Sequence, residues 1–223
     1  MYKILIVCAH PDDETLGMGG TIARLVNENN TIHVLFITDG SSSQYENYRE
    51  MIEIKKIEMK NALNELGVQQ FDFHMLPDMQ LDVTAQIKIN AVIVDKISQF
   101  KPDIVYTHFW GDINSDHRRV FDSTMVAVRP TVNQSVKCVY CYETPSSTEW
   151  QAPKNDSVFN PNRFVDITDF HEKKISALKF YKSELREFPH PRSEKAVSIY
   201  DQRNGIVIAR KYAERFVVIR EII

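Results

Sequence analysis

The sequence predicts an α/β fold in which helices cover both faces of a mostly parallel central sheet, giving three layers. Near-continuous apolar runs, such as KILIVCA at residues 3–9, are typical of strands that are buried on both faces. Segments with helical spacing alternate with these runs, and such alternation predicts parallel strands joined by right-handed crossovers. With 223 residues and 43% apolar composition, the chain can form one sizeable core, so we expect a single domain over residues 1–223.

The first half of the chain repeats a strand–helix rhythm. The first strand runs into the polar segment HPDDETLGMGG, after which helical spacing begins. The longest predicted helix is ended by Gly67, because glycine is favoured just beyond a helix C-terminus. In order, we predict a strand at 3–9, a helix from Thr21, a strand at 31–40, a helix at 48–66 and a short strand at 71–76.

The second half continues this rhythm and then changes in texture. Between residues 144 and 164 the chain is rich in Pro, Ser, Asn and Thr, which predicts a long loop of the kind that often has a function. The segment PHPRS, at 189–193, separates the last two helices. In order, we predict a helix at 84–100, a strand at 103–109, a helix at 116–128, a strand at 136–143, a helix at 168–185, a last helix and an apolar tail at 214–223.

Charge, hydropathy and cysteine content exclude several classes of protein. The 27 basic and 30 acidic residues are scattered and give a net charge of -3, so no basic stripe is available for nucleic acid. No apolar run is long enough for an integral membrane segment, and no signal peptide is recognisable, so we expect a cytoplasmic protein. Cys138 and Cys141 have CxxC spacing but fall on a predicted strand, where they would point to opposite faces, so we interpret them as buried thiols.

The densest group of polar side chains is HPDDE, at residues 10–14, directly after the first strand. An acidic turn that caps the next helix would explain the carboxylates, but it would not need the imidazole or the proline. Imidazole and carboxylate are suitable ligands for a catalytic Zn²⁺, which keeps three protein ligands and one open position. We predict His10 and Asp13 as two ligands. His117, which follows another strand end at the same edge of the sheet, is the predicted third.

A metal-dependent hydrolase also needs a base that is not itself a ligand. Asp12 lies beside Asp13 on the turn, so we predict that it takes a proton from the attacking water. Glu14 is expected to hold the turn by hydrogen bonds or to cap the following helix. We also count Asp116, next to His117, among the candidate catalytic residues.

The segments AHPDDETLGMGGT and GDINSDHR resemble the two metal motifs of the PIG-L, or LmbE-like, family of zinc-dependent N-acetylglucosaminyl deacetylases. Further similarity covers TDG, EMKNALNELGV, LPD, YETPSSTEW, FNPNRFVDI and PHPRS, which together span most of the chain. The resemblance implies a Rossmann-like sheet, removal of an N-acetyl group from a small amino-sugar substrate, and Zn²⁺ as the cofactor. It also implies zinc on His10, Asp13 and His117, with Asp12 as general base.

The sequence departs from the family pattern at two positions. Many members have His-x-Asp-His, whereas this chain has Asn114 in place of the first histidine; Asn can donate a hydrogen bond to an oxyanion but cannot deliver a proton. We therefore consider His190, in PHPRS, as the missing acid, or Asp12 as a shuttle in both directions. Lys55 stands where the family often has a substrate-binding arginine, and it offers a point charge in place of a planar fork.

Other side chains are candidates for the binding of a sugar. Asp78, in LPD, matches a family position that binds sugar hydroxyls, although Pro-Asp is also common turn chemistry. Trp110 and Trp150 are candidates for stacking on a sugar face or for ordinary packing. His108 is expected near the proposed site because it lies at the end of a predicted strand. It is a candidate for orienting a metal ligand or for an ordinary core imidazole. The substituent on the sugar and the oligomeric state, including a homo-oligomer, stay open.

Three other functions compete with this interpretation. Gly17, Gly19 and Gly20 follow the first strand, but their spacing is not G-x-G-x-x-G, and HPDDE would repel the pyrophosphate of a dinucleotide. The same metal chemistry would also serve hydrolysis of another amide, such as an N-formyl sugar or a thiol conjugate. A zinc-binding protein without catalysis is the third alternative, which the substitution at Asn114 makes conceivable.

Overall fold

A computed structural model describes residues 1–153 and 157–223 of the chain, which form a seven-stranded sheet with helices on both faces. Residues 154–156, within the predicted loop at 144–164, lie outside the described residues. The strands are β1 (Lys3–Cys8), β2 (Thr31–Thr38), β3 (Gln70–Leu76), β4 (Ile104–His108), β5 (Cys138–Tyr142), β6 (Arg163–Asp166) and β7 (Ala213–Arg220). The helices are α1 (Asp13–Asn27), α2 (Tyr48–Leu66), α3 (Gln86–Phe100), α4 (Ser115–Ala127), α5 (His171–Leu178) and α6 (Glu194–Val207).

The strand order, β3-β2-β1-β4-β5-β7-β6, confirms the predicted mostly parallel sheet. Strands β1 to β5 are parallel, whereas β7 is antiparallel to both β5 and β6. Strand β1 lies between β2 and β4, so the order of the strands reverses at this point. In open α/β sheets, ligands bind at the carboxyl ends of the strands where the order reverses. The segments HPDDE and GDINSDH follow β1 and β4, so both lie at this position.

Two hydrophobic clusters, one on each face of the sheet, form the core. Alternate side chains of β1 enter different clusters: Ile4 and Ile6 pack with α1, α2 and α5, whereas Leu5 and Val7 pack with α3 and α4. A strand that is buried on both faces requires an apolar side chain at nearly every position, which explains the continuous run in the sequence. The three predicted layers are therefore present.

Helix α1 starts eight residues earlier than the predicted start at Thr21, so that prediction was wrong at this boundary. The helix is kinked at Met18 (φ -154°, ψ 24°), and the kink frees backbone N–H groups inside the helix. The carboxylate of Glu214, in β7, accepts hydrogen bonds from the N–H groups of Gly20 (3.0 Å) and Thr21 (2.6 Å). The predicted helix corresponds to the part beyond the kink, and a carboxylate that is distant in sequence accepts hydrogen bonds from its first, buried N–H groups.

The predicted helix at 168–185 was too long, because α5 ends at Leu178. Beyond it the backbone forms turns, and Tyr181 and Glu184 point into the protein, where they bond to Glu14 and Lys55. In contrast, α2 has the predicted bounds, and Gly67 takes a left-handed conformation (φ 87°) at its end. The helix ends early because residues beyond Leu178 make tertiary contacts, and the spacing of apolar residues in the sequence does not reveal such contacts.

Two other features bear on the sequence predictions. Cys138 and Cys141 are free thiols in different hydrophobic clusters, as expected for their spacing on a strand; Cys141 is buried as predicted, whereas Cys138 is only half-buried. Burial raises the pKa of the Cys141 thiol. None of the helices in the described part of the chain combines the length and the apolar character needed to cross a bilayer.

Candidate metal centre and catalytic site

The fold brings His10, Asp13 and His117 together at the carboxyl ends of β1 and β4. Nδ1 of His10 lies 3.3 Å from Nε2 of His117. The carboxylate of Asp13 lies beside both rings, with Oδ1 3.4 Å from Nε2 of His117 and Oδ2 3.5 Å from Nδ1 of His10. One ligand atom from each of the three buried residues lies within 4.8 Å of the others, so the group could hold a metal ion.

The contacts of this group fit a cation. Oδ1 of Asp13 is buried and has no hydrogen-bond partner among the described residues. A buried carboxylate oxygen without a partner is costly, and a cation between Asp13 and the two ring nitrogens would remove that cost. Two imidazoles and one carboxylate are a ligand set that suits zinc and leaves a fourth position open.

The second nitrogen of His117 faces another carboxylate. Nδ1 lies 3.1 Å from Oδ2 of Asp112, although not in a good hydrogen-bond direction. Burial lowers the pKa of His117, but the negative charges of Asp13 and Asp112 outweigh burial and raise this pKa to about 9. Asp112 is fixed in turn, since it accepts hydrogen bonds from the Thr148 hydroxyl (3.0 Å) and the Asn114 N–H (2.9 Å). The charges that hold a proton on His117 would equally attract a metal cation.

His10 has a similar environment. Its Nε2 lies 3.2 Å from Oδ2 of Asp116 and 3.3 Å from Oδ1 of Asp78. Asp116 also accepts hydrogen bonds from the N–H groups of Met79 (2.8 Å) and Leu81 (3.0 Å). Both histidines therefore present one nitrogen to the centre and the other to a carboxylate, an arrangement that fixes the tautomer of metal-binding imidazoles.

The turn that carries Asp12 is strained and tightly anchored. Asp12 has a φ of 116°, which is unusual for a residue with a side chain, and its side chain is buried. Glu14 accepts a hydrogen bond from the Asp12 N–H at 3.2 Å, as well as bonds of 2.6 Å from the hydroxyls of Thr15 and Tyr181. These bonds agree with the expectation that Glu14 holds the turn. Strain of this kind persists where the surroundings enforce it, commonly at functional sites.

A profile of the PIG-L family, described as GlcNAc-PI de-N-acetylase, matches residues 5–128, which include all of the residues that form the centre. The chain belongs to the PIG-L family. It is 31% identical to the uncharacterized deacetylase YaiS of Escherichia coli strain K12, over 81% of this chain and 90% of that protein. It is 28% identical to the diacetylchitobiose deacetylase of Thermococcus kodakarensis, over 83% of this chain and 71% of that protein.

The fold alone does not select the reaction. The 4-carboxy-2-hydroxymuconate hydratase GalB of Pseudomonas putida KT2440 superimposes with a TM-score of 0.80 at 18% identity, covering 100% of this chain and 98% of that chain. The same architecture thus occurs in a hydratase, and an argument about function has to come from the site.

Asp12 forms an ion pair that was not predicted. Oδ2 of Asp12 accepts a hydrogen bond of 3.1 Å from the guanidinium of Arg192. Burial raises the pKa of Asp12 to about 8, and Arg192 acts in the opposite direction. His190, in the PHPRS segment, was predicted as a candidate acid, whereas Arg192, two residues further on, was not predicted as a site residue. The sequence contains one indication of a role for Arg192, namely that it is a basic residue in a segment already predicted to be functional.

His190 lies on the same turn as Arg192. Its Nδ1 accepts a hydrogen bond of 3.1 Å from the backbone N–H of Arg192, and its ring meets Trp150 edge-on at 5.5 Å. Partial burial and the charges of Arg192 and Arg186 lower the pKa of His190. The turn that carries His190 is thus joined to Asp12 through Arg192, and the assignment of His190 as an acid stays a prediction.

Lys55 and Asp78 are both buried and bonded to other parts of the protein. Nζ of Lys55, which is 2% exposed, donates to the backbone oxygen of Gly40 and lies 2.7 Å from Oε1 of Glu184. Oδ2 of Asp78 accepts a hydrogen bond of 3.0 Å from Gln44. A direct role in substrate binding stays a prediction for both, and each has a partner within the protein that the sequence did not reveal.

Asn114 is the N-cap of α4. Its Oδ1 accepts a hydrogen bond of 2.9 Å from the Asp116 N–H, and its Nδ2 lies 3.7 Å from the sulfur of Met79. Asparagine is among the preferred residues at this helix position, so capping is one reason for its presence. The amide nitrogen is the part of Asn114 that remains for the predicted hydrogen bond to an oxyanion.

His108 packs directly against the centre. Its ring stacks on that of His117 with centroids 3.9 Å apart, and its Nε2 accepts a hydrogen bond of 2.9 Å from the Ala9 N–H. Burial and the positive charge of His117 lower the pKa of His108 to about 4, so the ring is neutral. A neutral ring that accepts from Ala9 holds the backbone just before His10. That His108 orients a metal ligand stays a prediction.

Proposed function

We propose that this chain is a zinc-dependent N-deacetylase that releases acetate from a GlcNAc-type amino sugar. The observation that carries the proposal is the buried Oδ1 of Asp13, which has no hydrogen-bond partner in the described part of the chain and faces a nitrogen of His117 beside His10. Family membership directs the choice of reaction, since the relatives with named substrates include a diacetylchitobiose deacetylase. We assign Nδ1 of His10, the carboxylate of Asp13 and Nε2 of His117 as the zinc ligands.

Different residues of the chain have different roles in the hydrolysis. A bound Zn²⁺ supplies Lewis acidity, which polarises the acetyl carbonyl and favours ionisation of the attacking water. Asp12 takes the proton from this water through Oδ1, because Arg192 already occupies Oδ2. Asp116 and Asp112 hold the two imidazoles in the tautomer that leaves a nitrogen free for the metal.

Collapse of the tetrahedral intermediate requires a proton on the departing amine. We assign this transfer to Asp12, which carries the proton taken from water, or to His190, which lies on the turn beside Arg192. In both cases Nδ2 of Asn114 donates a hydrogen bond to the oxyanion. Lys55 and Asp78 act at the sugar, Lys55 through the loop at Gly40 and Asp78 as an acceptor for a hydroxyl.

The test is an assay for free amine and acetate on a panel of substrates, performed with zinc-loaded protein. The panel contains N-acetylglucosamine, diacetylchitobiose, a GlcNAc-inositol, a nucleotide sugar, an N-formyl sugar and a thiol-conjugate amide. We expect turnover of at least one N-acetyl sugar, loss of turnover on chelation and recovery with zinc. Turnover of only the formyl sugar or the thiol conjugate would favour the alternative amide hydrolase, and zinc binding without turnover of any compound would contradict the proposal.

Replacing His190 with Gln decides between the two proton donors. We expect a large fall in kcat if His190 is the acid, because glutamine can donate a hydrogen bond but cannot release a proton. Unchanged kcat would leave Asp12 as the shuttle.

A further inference from the structure

Arg192 is held by three separate segments of the chain. Its guanidinium donates to Oδ2 of Asp12 at 3.1 Å and to Oε2 of Glu184 at 2.7 Å, through the same NH1 group. Its Nε donates to the hydroxyl of Ser146 at 2.8 Å. Only part of the Arg192 side chain is exposed, 20%, whereas both carboxylates are buried. A planar guanidinium with several fixed donors suits such a site, whereas the point charge of lysine cannot make the same contacts.

The ionised carboxylate of Asp12 needs a partner from another segment of the chain that stabilises its charge and fixes its position. Burial opposes the ionised form most strongly, and the negative charges of Glu184 and Asp13 add to this. The backbone of Asp12 has a left-handed conformation, with a φ of 116°. Arg192 and, more weakly, Lys55 compensate the charge of the carboxylate, and Arg192 also bonds directly to one carboxylate oxygen.

Glu184 links this contact to Lys55. Oε2 of Glu184 bonds to Arg192, and Oε1 lies 2.7 Å from Nζ of Lys55, whose other partner is the Gly40 oxygen. The four side chains thus alternate in charge from Asp12 through Arg192 and Glu184 to Lys55. A buried carboxylate with a cation on each oxygen fixes both cations.

We infer that Arg192 is a positioning residue: it holds Oδ2 of Asp12 so that Oδ1 is directed to the attacking water, and Glu184 holds Arg192 in place. This inference rests on the proposed function, because it gives Arg192 a part in the same reaction. It adds a residue from the turn at 189–193 to the site, by a contact between residues 180 positions apart. Arg192 does not touch the reacting atoms in this assignment.

The test compares Arg192→Ala, Arg192→Lys and Arg192→Gln with a matched control, Arg129→Ala. Arg129 is an exposed arginine just beyond the C-terminal end of α4, and its Nε donates to the backbone oxygen of Val126. For each Arg192 variant we expect zinc bound at one ion per chain, an unchanged KM, and a kcat lowered by about 10- to 100-fold, as is typical for residues that orient a functional group. The control keeps the kcat of the wild type.

Two further readouts separate positioning from general support of the fold. Millimolar guanidinium or methylguanidinium is expected to restore part of the kcat of Arg192→Ala, and to leave the kcat of the Arg129→Ala control unchanged. A crystal structure of the zinc-loaded Arg192→Ala protein is expected to show the Asp12 carboxylate rotated from its wild-type position. Arg192→Gln, which can still bond to Ser146, provides the same comparison if the alanine variant does not fold.

Failure of the positioning role and failure of the proposed function give different experimental results. An active wild type together with unchanged kcat in the Arg192 variants overturns the positioning role and leaves the deacetylase proposal standing. A wild type without turnover on any substrate contradicts the proposed function. In that case the crystal structures of the wild type and of Arg192→Ala still show whether Arg192 fixes the position of the Asp12 carboxylate. An Asp12 carboxylate in the same position with and without Arg192 overturns the inference in either case.

Discussion

At the scale of single residues, the carboxylates behind the two imidazoles determine how well the site can bind a metal. We predict that Asp112→Asn lowers zinc affinity by about 10- to 100-fold, because Nδ1 of His117 loses the charge that fixes its tautomer. Competition with a chromophoric chelator measures this affinity. Asp122→Asn, at an exposed position of α4, is the matched control, and an equal affinity in both variants would contradict the prediction.

Asp12 and His117 are predicted to separate catalysis from metal binding. Asp12→Asn is isosteric and should retain zinc, while kcat falls by about 100-fold or more because the proton acceptor is lost. His117→Ala should lose zinc itself, as measured by metal analysis after dialysis. Unchanged turnover of Asp12→Asn on a responsive substrate would show that another residue is the base.

Residue chemistry was sufficient to predict the metal ligands but not their supporting groups. His10, Asp13 and His117 are brought together as expected, because ligand-type side chains followed two strand ends at one edge of the sheet. Arg192 could not be predicted in the same way. Its contact with Asp12 depends on how the turns around Glu184 and His190 fold back onto α1. These turns have no periodic sequence pattern from which their course could be predicted.

At the scale of secondary-structure elements, the kink in α1 depends on Glu214. We predict that Glu214→Gln destabilises the protein by about 3 kcal/mol, because breaking a buried ion pair leaves Lys174 without one of its two carboxylates. The amide also removes one acceptor from the N–H groups of Gly20 and Thr21. Denaturant unfolding measures the change. Glu172→Gln, on the exposed side of α5, is the control, and similar stability in the two variants would argue against the cap.

His171, at the start of α5, is predicted to make stability depend on pH. Its ring stacks on Tyr212, and burial, with the charges of Lys174 and Lys211, lowers its pKa to about 4 from an ordinary value of 6.5. Between these two pH values the unfolded chain binds a proton that the folded protein does not. The contribution of His171 to stability is therefore complete above pH 6.5 and is lost as the pH falls towards 4.

The measurement compares the free energies of unfolding of the wild type and His171→Gln from pH 7.5 to pH 4.5. We expect the wild type to lose more stability on acidification than the variant, because only the wild type contains this titrating group. All other carboxylates and histidines are common to the two proteins and cancel in the difference. A difference that stays constant across this range would contradict the prediction.

At the scale of the whole molecule, the parallel part of the sheet was the most predictable feature. Strands β1 and β2 are almost entirely buried, so their sequences are continuous apolar runs that a helix of the same length would not need. The antiparallel edge was not predicted. Strand β6 has four residues, all half-buried, within a polar context, and β7 had been interpreted only as an apolar tail. Its pairing with β5 and β6 is decided by tertiary contacts.

The position of the metal ligands predicts that zinc stabilises the folded molecule. His10 follows β1 and His117 lies in α4, 107 residues apart, so an ion bound by both is a ligand of the folded chain and not of the unfolded one. Binding of this kind adds about 2.7 kcal/mol when free zinc exceeds its Kd by 100-fold. The Tm should therefore rise on addition of zinc to the metal-free protein and fall again with a chelator.

The variant Asp13→Ala tests whether this stabilisation comes from the proposed centre. Removing Asp13 takes away one ligand, and it also removes a buried carboxylate that lies beside two imidazoles, so the Tm of the metal-free variant can move in either direction. The zinc-dependent change in Tm is the informative quantity, and it should be almost abolished. Asp82→Ala, at an exposed position, should respond to zinc as the wild type does. An equal response of both variants would mean that zinc stabilises the protein from some other site.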